Sequence, residues 1–171
     1  MIEVHITKAQ KKRAISMSKH AVYNRSMRGK EANLVGAYGE IIVFDHFLKI
    51  GLNAYFAHKT THDIEVEGYK IDVKTKERTV IPKPHYECTV PAYNHAHQKP
   101  NWFVFVSLLK NGEGLKRFDR AWILGYISYY ELNKKSKLWR KGEIDETNNW
   151  KATIDCWNVS VNDLTNLKET I

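Results

Sequence analysis

The residues best suited to chemistry in this chain are two aspartates and a lysine near its middle. Asp63 is followed nine residues later by Asp72, and Lys74 stands two residues beyond that. Grouped carboxylate oxygens are the ligands that Mg²⁺ and Mn²⁺ prefer, and these ions usually bind one or two carboxylates together with a phosphate. The plainer alternative is a solvated hairpin face with alternating charges, because an Asp-x-Lys tripeptide is common.

The stretch that contains these residues has the pattern of a β-hairpin. Aliphatic and charged residues alternate before and after a single glycine, which is typical of half-buried strands. We predict a two-residue turn at Gly68-Tyr69. This turn sets a strand register in which Asp63 lies opposite Lys74. The same register places Glu65 opposite Asp72, either as a further member of the group or as a solvated residue. Opposed side chains share a face of the sheet, so these charged groups are expected to converge.

A further carboxylate, Glu40, lies in a long and mostly apolar stretch, residues 34–48, that lacks proline and ends before Gly51. This pattern predicts a buried or half-buried helix. The neighbours of Glu40 at helical spacing are Gly36, Ala37, Val43 and Phe44. A carboxylate in such surroundings needs a partner, either a basic side chain or a metal ion. Gly36 and Gly39 weaken a helix, so we expect another backbone or a nucleic-acid strand to approach closely there.

The order of these residues resembles that of the PD-(D/E)XK nuclease superfamily, which includes restriction endonucleases, Holliday-junction resolvases and phage recombination nucleases. The resemblance rests on Gly39-Glu40 in a helix, then Asp63, then Asp72-Val73-Lys74 on a following strand, and it covers about residues 30–110. It implies an α/β (α+β) fold with a restriction-endonuclease-like core, a central mixed β-sheet flanked by helices. The chain departs from the superfamily pattern at His62, where a proline is common.

The resemblance also implies a metal-dependent DNA endonuclease that acts in recombination, repair or phage DNA processing. Glu40, Asp63 and Asp72 would hold Mg²⁺ or Mn²⁺, and Lys74 would position or activate the attacking water. A divalent ion lowers the pKa of bound water and stabilises charge on phosphoryl oxygens. Two alternatives stay open: a nucleic-acid-binding protein that has lost catalysis on a nuclease-like fold, and an acid-rich hairpin in an unrelated binding module.

The charge distribution favours a polyanionic partner. The chain has 27 Lys and Arg against 19 Asp and Glu, and residues 1–30 hold eight basic residues and a single acid. A basic helical segment over about residues 7–29 is therefore predicted to contact a phosphate backbone, although basic helix faces are often merely solvated. The residues expected to bind nucleic acid, there and beside the hairpin, are Lys11, Lys12, Arg13, Lys19, Arg25, Arg28, Lys76, Arg78 and Gln98.

Length and composition predict a single domain over residues 1–171 with an ordinary core. No apolar run approaches the roughly 18 residues of a membrane span, and no signal-peptide pattern is present. We therefore expect a cytoplasmic protein of a bacterial or phage-infected cell, without membrane contact. The two cysteines are far apart, which favours free thiols over a disulfide framework. A homodimer is a further expectation, because the two strands of a duplex need two active sites.

The histidines raise the alternative of a zinc site. His95 and His97 lie near His85 and Cys88, but zinc ligands usually form paired clusters at two separate places. We expect both histidines in a loop or short helix that, in the resembled superfamily, borders the active-site cleft. Tyr93 and His97 are candidates for stacking on bases, and Gln98 for touching phosphate.

The rest of the chain predicts further strands and helices around this centre. The expected elements are an opening strand at residues 1–6, strands at 86–90, 102–109, 120–127 and 152–159, a hairpin loop at 110–117, a helix from Tyr129 to Trp139 with Ser128 and Glu131 as its capping box, and a short helix from Asn162.

Overall fold

The computed structural model describes residues 1–20, 29–57 and 59–167 of the chain. In chain order its elements are β1 (Ile2–His5), α1 (Lys8–His20), α2 (Gly29–Lys49), β2 (Ala54–Phe56), β3 (Ile64–Val66), β4 (Tyr69–Arg78), β5 (Glu87–Pro91), α3 (Ala92–Gln98), β6 (Trp102–Lys110), β7 (Phe118–Ser128), α4 (Tyr129–Lys135), β8 (Lys137–Trp139), β9 (Ile144–Asp145), β10 (Trp150–Lys151), β11 (Cys156–Ser160) and a 3-10 turn (Val161–Asp163).

A six-stranded mixed sheet lies at the centre of the fold, in the order β1-β7-β6-β4-β3-β2. β4 and β6 run parallel, and the other neighbouring strands of this sheet run antiparallel. The strands β2, β3 and β4 thus form a meander, and β5 and α3 lead from it to the parallel strand β6. Helix α2 packs on β4, and α1 packs on α2. The predicted α/β core, a mixed sheet with flanking helices, is confirmed.

Strand β6 is covered on both faces, as its continuous apolar run predicted. Val104 and Val106 face the core that lies under α2. Phe103 and Phe105 point to the other side, into a second core beneath the small sheet β5-β11-β8. Because side chains alternate along a strand, β6 and its neighbour β4 each contribute to both faces of the central sheet.

The predicted helix from Tyr129 to Trp139 is wrong in length, although its beginning is confirmed. Ser128 caps α4, its hydroxyl accepting the Glu131 N–H at 3.1 Å and donating to the Glu131 carboxylate at 2.9 Å. The helix ends at Lys135, and residues 137–139 pair with β11 instead. Burial of Trp139 in that strand outweighs the helical continuation, which is a tertiary effect.

The last predicted elements are also shorter than expected. The strand expected at residues 152–159 begins only at Cys156, after the separate short strand β10. The closing helix is a single 3-10 turn, in which Ser160 Oγ accepts the Asn162 N–H at 3.3 Å. Within the described parts of the chain, none of the helices is long and apolar enough to span a membrane.

Candidate active site

The hairpin that carries the two aspartates turns at Glu67-Gly68, so the predicted turn at Gly68-Tyr69 is wrong. Both turn residues have positive φ, 46° and 83°, as in a type I′ turn, and Val66 pairs with Tyr69. The register is therefore displaced by two residues, which leaves the side chains on their predicted faces. Glu65 pairs with Lys70 rather than with Asp72.

Asp63 stands where the ladder between β3 and β4 becomes irregular. Its N–H donates to the Ile71 carbonyl at 2.9 Å, although the strand partner of Ile71 is Ile64. The Asp63 carboxylate accepts the Val73 N–H at 2.7 Å. The side chain thus lies along the edge of β4 beside Asp72, not opposite Lys74 as predicted.

Asp72 is almost fully buried, with 1% of its surface exposed. The Lys74 ammonium lies 2.6 Å from Asp72 Oδ1, and it also donates to Gln98 Oε1 at 3.2 Å. Neither Asp72 oxygen has a hydrogen bond of good geometry from the residues that the structure describes. A buried carboxylate with one close ammonium and a second oxygen without a donor is suited to binding a cation.

Glu40 and Asp63 interact electrostatically with this pair. Burial and the negative charge of Asp72 raise the pKa of Glu40 to about 7, against the opposing effect of Lys74. Burial, followed by the charges of Asp72 and Glu40, raises the pKa of Asp63 well above its ordinary value. Shifts of this kind require the charge of Asp72 to lie near both Glu40 and Asp63, and the charge of Glu40 to lie near Asp63. The structure therefore brings together the four residues predicted as catalytic: Glu40 from α2, Asp63 from the position just before β3, and Asp72 with Lys74 from β4.

The donor set fits Mg²⁺ or Mn²⁺ in kind, because all three acids offer hard oxygens that repel one another without a cation. Yet among the described residues no three His, Cys, Asp or Glu side chains are arranged to hold a metal ion together. In this arrangement Lys74 lies against Asp72, and the Val73 N–H donates to the Asp63 carboxylate. Metal binding at this site therefore requires these side chains to adjust.

Gly39 determines how closely α2 approaches β4. A Cβ atom at this position would lie 1.8 Å from Thr75 Oγ1 and 3.0 Å from Thr75 Cβ, so only glycine fits. At Gly36 the nearest atom to a Cβ would be Glu40 Oε1, at an ordinary 3.7 Å. A close approach therefore exists at Gly39, but it is made by a strand side chain and not by the backbone that was expected, and at Gly36 no other backbone of the described residues comes close. The approach of a nucleic-acid strand stays a prediction.

Glu65 is fully engaged in a local network. Its carboxylate accepts hydrogen bonds from the Tyr55 hydroxyl at 2.5 Å, His62 Nε2 at 2.9 Å and the Lys59 ammonium at 3.0 Å, which together lower its pKa to about 2. His62 is buried, and its Nδ1 shares a hydrogen bond with the Thr61 hydroxyl at 2.9 Å. Sequence reasoning did not identify this network, which anchors the segment leading into Asp63.

Helix α3 lies beside the carboxylates through Gln98. The Gln98 side chain accepts from Lys74 and donates to the Thr60 carbonyl at 3.2 Å, so it joins α3, β4 and the segment before Asp63. His95 is buried and stacks on Tyr129, with ring centroids 4.4 Å apart and an interplanar angle of 6°. Burial lowers the pKa of His95. These contacts make His95 a packing residue, which disfavours the zinc alternative.

The predicted nucleic-acid-binding residues of α1 differ in whether their charges are already paired. Lys11 forms an ion pair with Asp119, and Arg13 Nη1 lies 2.7 Å from Asp45 Oδ1. Lys12 and Lys19 are exposed on the same helix. The final part of the predicted basic segment lies outside the described residues, and it includes Arg25 and Arg28.

Two further predicted residues continue β4 beyond the site. Lys76 is exposed, and Arg78 donates to the Glu87 carbonyl at 2.8 Å while its guanidinium lies 4.9 Å from the centre of the Tyr86 ring. Both residues line an open groove of about 420 Å³ together with Lys110. The contacts of Arg78 give it a structural role, and a phosphate contact at Lys76 stays a prediction.

Glu40→Gln is expected to stabilise the folded protein at pH 8 in the absence of divalent metal ions. Because the folded-state pKa of about 7 exceeds the ordinary 4.5, the contribution of Glu40 to stability is complete below pH 4.5 and is lost as pH rises through 7. We expect a gain of about 1–3 kcal/mol in the free energy of unfolding at pH 8 and little gain at pH 4.5, measured by urea denaturation in EDTA. The exposed Glu113, changed to Gln, is the control. An equal gain in the free energy of unfolding at both pH values would contradict a raised pKa of Glu40 in the folded protein.

No protein-family model matches this chain, and no curated protein or solved structure matches it. The assignment of a function therefore rests on the residues of the site and their geometry.

Proposed function

We propose that this protein is a metal-dependent DNA endonuclease of the PD-(D/E)XK type, which hydrolyses phosphodiester bonds. The observation that carries the proposal is the meeting of Glu40, Asp63 and Asp72 around the ammonium of Lys74. Burial and the neighbouring negative charges raise the pKa of Glu40 and of Asp63, which is unfavourable for folding, and a divalent cation offsets that cost. The resemblance in residue order supports a role in DNA recombination, repair or phage DNA processing, in a bacterial or phage-infected cell.

The arrangement of elements supports the same proposal. Helix α2 carries Glu40 against β4, and the hairpin β3–β4 follows with both aspartates. Both chain segments meet at one place because Gly39 allows contact with Thr75. The same order of elements is found in the PD-(D/E)XK superfamily. There, a helix with a glutamate precedes a hairpin that carries the remaining residues.

Each residue has a distinct part in the proposed reaction. Glu40, Asp63 and Asp72 would hold Mg²⁺ or Mn²⁺, which when bound supplies a water of lowered pKa and neutralises phosphoryl charge. The Lys74 ammonium, shared between Asp72 and Gln98, is the group available to donate to the scissile phosphate or to orient the water. Gln98 acts through Lys74, since its side chain holds the ammonium and is itself held by Thr60.

A nucleic-acid-binding protein without catalysis is the second candidate function. It is favoured by one observation, the contact between Lys74 and Asp72, which neutralises part of the acidic charge within the protein. In that case the basic groups of α1 and β4 would bind phosphates, and the carboxylates would serve only to position Lys74.

Cleavage assays distinguish these two functions. Supercoiled plasmid, linear duplex, single-stranded and four-way-junction DNA are incubated with Mg²⁺, Mn²⁺ or EDTA, using the wild type, Asp72→Asn and the surface control Glu113→Gln. We expect cutting that requires the metal and is lost only in Asp72→Asn, and the preferred DNA structure will identify the substrate class. DNA binding without cleavage under any metal would favour the second function, and neither binding nor cleavage would reject both.

Cations of α1 that form no ion pair within the described parts of the chain are expected to contribute more to DNA affinity than paired ones. Removing one phosphate interaction from a duplex complex lowers the slope of log affinity against log salt by about 0.9. We expect Lys12→Gln and Lys19→Gln each to reduce that slope by about 0.7–0.9, whereas Arg13→Gln changes it less because Arg13 is engaged with Asp45. Titrations at several salt concentrations measure this. A larger change in the salt slope for Arg13→Gln than for Lys12→Gln would contradict the expected difference between paired and unpaired cations.

A further inference from the structure

Helix α3 presents an aromatic pair on the side that faces away from the core. His95 points inward and packs between Tyr129, Phe103 and Trp157. Tyr93 and His97 are one helical turn apart, and both lie on the opposite side of the helix from His95. Tyr93 is 68% exposed, so most of its ring is available for contact with another molecule.

The two exposed rings are already ordered by each other. Their centroids are 4.1 Å apart with an interplanar angle of 25°, and His97 Nδ1 donates to the Tyr93 carbonyl at 2.7 Å. The bond orients the imidazole, and the imidazole in turn restricts the tyrosine ring. A stacked pair of this kind has given up much of its rotamer freedom, so less remains to be lost when a further flat ring packs on it.

The aromatic pair lies close to the proposed catalytic residues. Gln98 follows His97 directly and contacts the Lys74 ammonium. At a rise of 1.5 Å per residue, Tyr93 and Gln98 are separated by about 7–8 Å along the helix axis. Successive nucleotides of one strand are at least about 3.4 Å apart, so a single strand with a phosphate at Lys74 can reach the pair within a few nucleotides. The exposed Lys99 adds positive charge to this side of α3.

We propose that the Tyr93–His97 pair is a stacking platform for an unpaired nucleobase of the strand whose phosphate lies at Lys74. The location of that phosphate rests on the proposed function, whereas the stacking itself requires no metal. A base within a duplex presents its edges, not its faces, to a protein. The platform therefore selects single-stranded or frayed nucleotides next to the cleavage site. The flanking groups Lys99, Lys74 and Gln98 are cationic or polar, which suits a nucleotide better than an apolar protein partner.

Binding to two oligonucleotides of equal charge tests the platform in EDTA. One is a fluorescent 12-nucleotide oligothymidine, and the other has the same phosphates but no bases. Stacking of a base on an aromatic residue changes affinity about 5- to 150-fold, and we expect the wild type to prefer the oligothymidine by a factor in this range. Tyr93→Ala should lose most of that preference, whereas Tyr93→Phe, which keeps the ring, should retain it.

Tyr130→Ala is the matched control, because Tyr130 is 80% exposed on α4 and lies outside the proposed site. It should bind both oligonucleotides as the wild type does. A wild type that binds both equally, or a Tyr93→Ala variant that keeps the full preference, would overturn the platform. If no metal supports cleavage and yet the base preference depends on Tyr93, the nuclease proposal fails and the platform stands.

Discussion

Asp72→Asn is expected to lower metal-dependent DNA cleavage by about a thousandfold or more while leaving the fold intact. Asp72 is the most buried carboxylate of the site and the one that Glu40, Asp63 and Lys74 share. Loss of a metal ligand removes several kcal/mol of transition-state stabilisation, and each 1.36 kcal/mol corresponds to tenfold in rate. Single-turnover cleavage at saturating Mg²⁺ measures the loss.

The stability of the same variant separates a catalytic effect from a folding effect. Asparagine has the shape of aspartate without its charge, so unfolding in EDTA should need as much urea as for the wild type, or more. Lys74→Met is expected to do the opposite, with a loss of about 3–5 kcal/mol, because it leaves Asp72 buried without its counter-charge. The double variant Asp72→Asn with Lys74→Met should recover stability but not cleavage. Wild-type cleavage by Asp72→Asn would contradict the proposed site.

Gly39→Ala is expected to lower the free energy of unfolding by about 1–3 kcal/mol, because it overpacks the contact between helix and strand. We also expect it to reduce cleavage. The new Cβ would overlap Thr75 Oγ1 at 1.8 Å, and α2 must move away from β4 to accommodate it. Movement of α2 also withdraws Glu40 from Asp72. Alanine favours helices over glycine by about 1 kcal/mol, so a net loss has a steric cause. Urea denaturation and cleavage rates measure the two effects.

Gly36→Ala is the matched control on the same helix, where a Cβ would meet only an ordinary contact at 3.7 Å. We expect this variant to be as stable as the wild type or slightly more stable. Adding Thr75→Ala to Gly39→Ala should restore part of the stability, because it removes the closest overlapping atom. Thr75 Oγ1 has no hydrogen-bond partner among the described residues, so that change sacrifices no hydrogen bond. Equal stability of the two single glycine variants would contradict the close approach of α2 to β4.

Local patterning was sufficient for much of the fold. The alternation in residues 63–74 predicted the hairpin and the shared face of its charges, because a period of two depends only on neighbouring residues. The apolar run of β6 predicted a strand covered on both sides, and Ser128 with Glu131 predicted a helix start, since capping involves residues three positions apart. The turn position was wrong because Glu67 adopts a left-handed conformation that its residue type does not favour.

Contacts between distant segments determined the rest. The end of α4 depends on the pairing of Leu138 with Trp157 in β11. Glu65 is engaged because Tyr55 and Lys59 reach it from the preceding segment.

The types and order of the four proposed catalytic residues were readable in the sequence, because side-chain chemistry and strand alternation are local properties. The distance of Glu40 from the three hairpin residues was not, because it depends on the packing of Gly39 in α2 against Thr75 in β4. The electrostatic effect of Asp72 on Glu40 crosses from one element to another. Burial raises the pKa of Glu40, and Lys74 lies against Asp72 in the same buried region. These side chains become buried only when the helix packs on the sheet.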